Sequence, residues 1–239
     1  MIHNRFQILD MARGMAIMLM VAFHFCYNLE YFQIIEIDIK EEQFWISLRS
    51  FIVFTFIFIA GISLYLSSTR RPDFISHLKR QKWLFVCALL VSAATYPIFP
   101  DSWIYFGVLH FILAARIMGF VFTGFYLVNL ALGILILWMG VSLESEFFNP
   151  RWINWIGFTT YNPFTEDYVP VFPWFGVILL GMFTGRQFFG RKKTPDLLKT
   201  TYCSRPAIFL SLAGQNSLII YMIHQPILMG LIYTGLIIL

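Results

Sequence analysis

From Gly14 to Leu29 the chain carries no Asp, Glu, Lys or Arg, and Ile8-Leu9-Asp10-Met11-Ala12-Arg13-Gly14 leads into this stretch. With its flanks the stretch reads as a helix near 9–31, long and apolar enough to cross the hydrocarbon core, which takes about 20 residues. Arg13 and His24 are eleven positions apart. At about 3.6 residues per turn that is three turns, so both fall on one helix face, roughly 16 Å from each other. An acid, an arginine and a histidine are costly inside such a helix, and together they mark a candidate functional site.

The same character extends over the whole chain. It is 59% hydrophobic and 19% aromatic, with only 13% charged residues and a mean hydropathy of +0.71. Soluble domains carry about a quarter charged residues, so an integral membrane protein is expected. The length fits one bundle, a single domain over residues 1–239. The three cysteines, Cys26, Cys87 and Cys203, show neither metal spacing nor a disulfide framework and read as small apolar residues. The first apolar run is too long for a cleavable signal, and no small-residue cleavage site follows it.

The pattern predicts an all-α bundle of about seven transmembrane helices, near 9–31, 44–67, 82–99, 103–118, 120–142, 169–188 and 212–238. The fourth is short and joins the fifth with almost no loop. The run 206–212 is a candidate separate half-helix and would bring the count to eight. With the N-terminus cytoplasmic, Arg5, Arg13, Arg70, Arg71, Lys79, Arg80, Lys82, Arg116, Arg186, Arg191, Lys192, Lys193, Lys199 and Arg205 share the cytoplasmic side. Those are 14 of the 17 basic residues; Lys40, Arg49 and Arg151 are the others. Of the acids, Asp10, Asp73 and Asp196 lie on that side. This is the inside-positive bias, and it puts the C-terminus outside. It also accounts for the net charge of +4 without a nucleic-acid partner. No internal repeat or low-complexity segment stands out, and seven spans do not divide into two inverted halves, which counts against a repeat-built transporter.

Three histidines fall within spans: His24, His110 and His224. Each alone reads as a neutral interhelical hydrogen-bonder; three at similar depth also fit a shared polar cavity. Arg13, Ile17, Met20, His24 and Asn28 form one stripe on the first helix. Ser217, Tyr221, His224 and Gln225 do the same on the last, beside Asn216. Pro226 leaves a carbonyl one turn earlier without its helical donor, and a kink there would open space beside His224. Arg13 either pairs with Asp10 and snorkels to the interface or contacts an anion together with Arg80, Lys82 and Arg116. Arginine's planar fork suits phosphate. Gly61-Ile62-Ser63, Gly176, Gly181 and Gly185 read as helix-packing residues. The segment 143–168, with Trp152, Trp155, Tyr161, Asn162-Pro163 and Glu166-Asp167, reads as an interfacial belt or as an external lid.

Taken in order, several pieces resemble one family. They are Leu9-Asp10-x-x-Arg13-Gly14-x-Ala16-Ile17 with the spacing to His24, Phe56-Ile57-Phe58-Ile59-Ala60-Gly61-Ile62-Ser63, and Phe106-Gly107-Val108-Leu109-His110-Phe111. Then follow Asp167-Tyr168-Val169-Pro170, Phe172-Pro173-Trp174-Phe175-Gly176 with Gly181, Gly214-Gln215-Asn216-Ser217-Leu218, and Tyr221-Met222-Ile223-His224-Gln225-Pro226. The chain resembles the bacterial relatives of heparan-alpha-glucosaminide N-acetyltransferase, in the transmembrane acyltransferase superfamily. The resemblance covers nearly the whole chain.

That resemblance implies transfer of an acetyl or other acyl group from cytoplasmic acetyl-CoA or another acyl-CoA. The acceptor is a hydroxyl or amine, usually on a saccharide or glycoconjugate, at the opposite face of the bacterial inner membrane. It implies a histidine as base or acyl relay. The animal enzymes place their proposed histidine in the external segment after the first helix, and residues 25–42 here contain none. The role therefore falls to His24, with His110 or His224 as alternatives. Asp10 and Asn28 complete the candidate catalytic set. Arg13, Arg80, Arg116 and Lys82 are the candidate donor-phosphate contacts. Asn216, Ser217, Tyr221, Gln225, Trp174 and Asp167 are the candidate substrate contacts, and Asn28, Tyr221, Asn216 or Gln225 would stabilise the oxyanion. No metal is expected; membrane lipids and a second copy of the chain are the other expected partners. A proton-coupled carrier of a small polar solute, or a noncatalytic subunit of the same fold, are the rival readings.

Overall fold

The computed structural model describes residues 6–70, 73–190, 198 and 200–238, with the side chain of Arg70 left aside. Arg5, Arg71, Arg191, Lys192, Lys193, Lys199 and Asp196, used above for orientation, lie outside the described residues. Among the described residues all regular structure is helical. The helices are α1 (Gln7–Tyr31), α2 (Gln43–Arg70), α3 (Phe74–Arg80), α4 (Lys82–Ile98), α5 (Val108–Gly119), α6 (Leu127–Ser142), α7 (Val171–Phe189), α8 (Arg205–Gln215) and α9 (Ser217–Ile238). Short 3₁₀ turns stand at Phe120–Phe122, Glu146–Phe148 and Asn154–Ile156.

Among the described residues three helices, α1, α2 and α9, are long and apolar enough to cross a bilayer, and α3 with α4, bent by 41° at Gln81, makes a fourth if the pair is one broken span. α5 and α6 are apolar but shorter. The expected fourth span is helical only from Val108; Trp103 to Gly107 run without helix, because their backbone groups bond elsewhere. Glu166 N–H donates to Ser102 O at 2.9 Å and Val169 N–H to Phe106 O at 3.4 Å. Residues 120–126, expected inside the fifth span, form a turn before α6. The half-helix expected at 206–212 is α8, separated from α9 at Asn216, whose amide Nδ2 donates back to Leu212 O at 2.9 Å.

The chain divides into two compact units, residues 1–56 with 195–239 and residues 57–194. In the first, α1 packs against α8 and α9. Ile17, Met20, Phe23, Ile39, Ile52 and Ala213 form its buried core. α1 and α8 touch backbone to backbone: a Cβ added at Gly14 would overlap the carbonyl of Leu210, and one at Gly214 the carbonyl of Asp10. Small residues are what lets helices approach this closely where apolar burial gives little drive to associate. The Gln7 side chain ties the chain before α8 to the start of α1, accepting from Tyr202 N–H at 2.7 Å and donating to Tyr202 O at 3.0 Å.

In the second unit, α7 is the central helix, with Val177, Ile178, Leu179 and Met182 almost wholly buried. It meets α6 at Gly133 and Gly176 and the second half of α2 at Gly61 and Gly181, each glycine lying against the partner's carbonyl. Gly185 lies against Ile62 and Tyr65, so these glycines serve helix contact. Asp73 caps α3 by accepting from Ser76 N–H at 2.8 Å, and the hydrogen bonding from Ser76 holds its carboxyl below the usual range.

Candidate functional site

The stripe expected on α1 is present, and in the first unit it faces α9. Ile17 and Asn28 are essentially buried and Met20 nearly so. His24 lies beside His224, with ring centroids 4.8 Å apart and planes at 74°. His24 Nδ1 is 2.9 Å from Met20 O, and His224 Nδ1 is 2.6 Å from Tyr221 O. A carbonyl only accepts, so both Nδ1 atoms donate, and each neutral ring carries its lone pair on Nε2. His224 Nε2 is buried with no hydrogen-bond partner among the described residues. The Tyr221 ring completes the group, 5.5 Å from that of His224.

One turn beyond His24, Asn28 Nδ2 donates to Gln225 Oε1 at 2.9 Å, and Gln225 Nε2 reaches back to Asn28 Oδ1 at 3.5 Å. This paired amide clasp fixes the register of α1 on α9 next to the histidines. At the other end of α1, Arg13 Nη1 pairs with Asp10 Oδ1 at 3.3 Å. Asn216 and Ser217 sit at the break between α8 and α9.

The remaining candidates belong to the second unit. His110 Nδ1 accepts from Gly107 N–H at 3.3 Å, which leaves Nε2–H to donate to Ser92 Oγ at 3.0 Å. Ser92 in turn donates to Ile104 O at 2.7 Å. Both ring nitrogens of His110 are therefore engaged in holding the start of α5. Asp167 Oδ2 accepts from Val108 N–H at 2.7 Å, placing a carboxylate at the positive end of α5. A Cβ at Gly107 would overlap that carboxylate, which is the physical link between two sequence motifs far apart in the chain. Trp174 is half-buried in the first turn of α7.

Arg116, in the last turn of α5, donates from Nε to Gln81 Oε1 at 2.9 Å, and its carbonyl accepts from His77 Nε2 at 3.0 Å. Gln81 sits between Arg80 and Lys82, so three of the four candidate cations gather around one joint. Arg80 Nε donates to Ser76 O at 3.2 Å, and Lys82 Nζ lies 5.3 Å from the Trp83 ring centre. Sequence reasoning passed over His77 and Gln81; the signal was their four-residue spacing within a basic stretch.

A family model described as heparan-alpha-glucosaminide N-acetyltransferase, catalytic, matches residues 5–226. The chain belongs to that family. The match begins just before Asp10 and Arg13 and ends at Pro226, two residues past His224, so its ends bracket the α1–α9 cluster. No curated protein and no solved structure matches the chain. With three helices able to cross a bilayer, this member of the heparan-alpha-glucosaminide N-acetyltransferase family is a membrane protein from an acetyltransferase lineage.

Proposed function

We propose that the chain is a multi-pass acyltransferase of the bacterial inner membrane. It takes an acetyl or other acyl group from cytoplasmic acyl-CoA and passes it to the amine or hydroxyl of a saccharide or glycoconjugate at the external face. In this reading the chain forms one bundle of seven spans, eight with α8, with its N-terminus cytoplasmic. The observation that carries the proposal is the His24–His224 contact, two imidazoles with both Nδ1–H groups committed to carbonyls.

The chemistry follows from those tautomers. An acceptor amine that attacks a thioester carbonyl forms a C–N bond, breaks the C–S bond and must lose a proton. An Nε2 lone pair within reach takes that proton and returns it to the leaving thiolate, a contribution of about 10²–10⁴-fold. His24 is the base, and His224 the partner that orients it. The amides of Asn28, Gln225 or Asn216 and the phenol of Tyr221 are the proposed donors for the oxyanion. For the donor's phosphates on the cytoplasmic side, the proposed contact in the first unit is Arg13, oriented by the Asp10 carboxylate, and those in the second are Arg80, Lys82 and Arg116.

The test is acetyl transfer by protein reconstituted in vesicles, with acetyl-CoA on one side and a glucosamine-type acceptor on the other. Product from the wild type and a loss of about 100-fold or more in His24→Ala support the proposal. Full activity in a folded His24→Ala variant overturns the base assignment. Solute flux coupled to protons, with no acyl product, would favour the carrier.

A further inference from the structure

Outside the histidine cluster, the second unit contains a cavity of about 500 Å³, within the usual range of small-molecule sites, about 300–1,000 Å³. Its walls come from the end of α2 (Tyr65, Thr69), the turn after α5 (Thr123, Gly124, Tyr126) and the last turn of α7 with the residue after it (Arg186, Gln187, Gly190). The lining holds one cation and no carboxylate. Among the described residues no carboxylate pairs with Arg186.

Arg186 is held on one side by backbone and ring contacts. Its Nη1 donates to Gly124 O at 2.9 Å, and its guanidinium carbon lies 5.2 Å from the centre of the Tyr126 ring. That ring is stacked on Phe183, with centroids 4.8 Å apart and planes at 18°, and its hydroxyl donates to Gln187 Oε1. A guanidinium fixed on one face still presents further N–H groups in a planar fork. A second donor lines the same cavity: Tyr65 is 8% exposed, its hydroxyl makes no hydrogen bond among the described residues, and its Oη lies against Gly190. Thr69 and Thr123 give their protons to Leu66 O and Phe120 O, so they add polarity but no donor.

A fixed guanidinium, an unengaged phenol and no acid make a receptor for an oxyanion, and arginine's fork matches phosphate. We propose that the Arg186–Tyr65 cavity binds a phosphate ester, in the reaction a phosphate at the nucleotide end of the acyl donor other than those that Arg80, Lys82 and Arg116 contact. The assignment of the donor as its source rests on the acyltransferase reading; the phosphate chemistry does not. An anionic lipid headgroup is the other source of the same chemistry.

Two variants test it. Arg186→Gln removes the cation. Gln187→Glu adds a charge of the wrong sign at nearly constant volume and keeps an acceptor for the Tyr126 hydroxyl. Binding of adenosine 3',5'-bisphosphate and of coenzyme A to the purified full chain is measured by calorimetry. Retention of phosphatidylglycerol against phosphatidylcholine is measured in nanodiscs. At least tenfold weaker nucleotide binding in both variants, with unchanged melting temperature, supports the site with the donor as ligand. Unchanged nucleotide binding but a tenfold loss of phosphatidylglycerol preference supports it with lipid as ligand. Neither property moving in Gln187→Glu overturns it, even if Arg186→Gln fails to fold. Acyl transfer that persists while these variants bind normally rejects this site alone. Wild-type protein that binds phosphatidylglycerol through Arg186 but neither binds coenzyme A nor transfers an acyl group rejects the enzyme reading alone.

Discussion

His24 and His224 meet edge to face, 4.8 Å between ring centroids, from helices at opposite ends of the sequence. Residues acting as a unit in one chemical step show strongly non-additive losses. His24→Ala and His224→Ala are each expected to lower kcat for acetyl transfer by about 100-fold or more. The double variant should fall no further than the worse single one, within about threefold. A double-mutant cycle on purified protein checks this. Losses that multiply would show two independent roles.

The backbone contact of α1 with α8 makes a sharp stability prediction. An added Cβ at Gly14 or Gly214 meets a carbonyl oxygen of the facing helix, and backbone does not swing aside as a side-chain tip does. Gly14→Ala and Gly214→Ala are each expected to cost about 1–3 kcal/mol, as overpacking does. Gly230→Ala, where an added Cβ meets nothing within 4 Å, should be neutral or gain up to about 1 kcal/mol through helix propensity. Thermal unfolding in detergent separates the two classes. Equal shifts at Gly214 and Gly230 would contradict the close contact.

The apolar runs were legible because hydropathy and length are additive along the chain. α1, α2, α4, α7 and α9 fall where they were expected, and α8 stands apart as its short run suggested. The start of α5 was not legible, because the groups that end its N-terminal side, Ser102, Phe106, Glu166 and Asp167, meet across some sixty residues. Among the described residues three or four helices meet a spanning criterion, and α7, though in its expected place, is not one of them; turns at 103–107 and 120–126 shorten α5 and α6. For the site, the stripe Ile17, Met20, His24, Asn28 was readable from helical period. Its docking on His224 and Gln225 was not, because periodicity gives a face but not the partner. Asp167 looked like a substrate contact by its motif, and only the fold reveals its bond to Val108.

That bond yields a further prediction. Asp167→Ala leaves the first N–H of α5 without its carboxylate and is expected to cost about 0.5–2 kcal/mol, the range for a lost helix cap. Asp167→Asn keeps an acceptor oxygen and should cost less. A carboxylate that serves only to cap α5 leaves the acceptor KM of Asp167→Asn within about twofold of wild type. Unfolding midpoints and steady-state kinetics on the same preparations test both statements. A large rise in KM with unchanged stability would return Asp167 to the substrate.

Tyr168 lies before α7, outside the expected spans, and its hydroxyl donates to Asn154 O at 2.6 Å. Burial pushes its phenol up to about 12 from 10.0. Between those values the folded protein keeps a proton that the unfolded chain releases, so stability falls as pH rises through that window. Below it the tyrosine costs nothing. Tyr168→Phe should therefore flatten the alkaline fall in unfolding midpoint, while lowering stability at neutral pH by about 1 kcal/mol for the lost hydrogen bond. Melting curves from pH 7 upward, together with tyrosinate absorbance, measure both effects. An alkaline slope identical in the wild type and Tyr168→Phe would mean that the phenol ionises at its ordinary pH and that the segment around Asn154 is open to water.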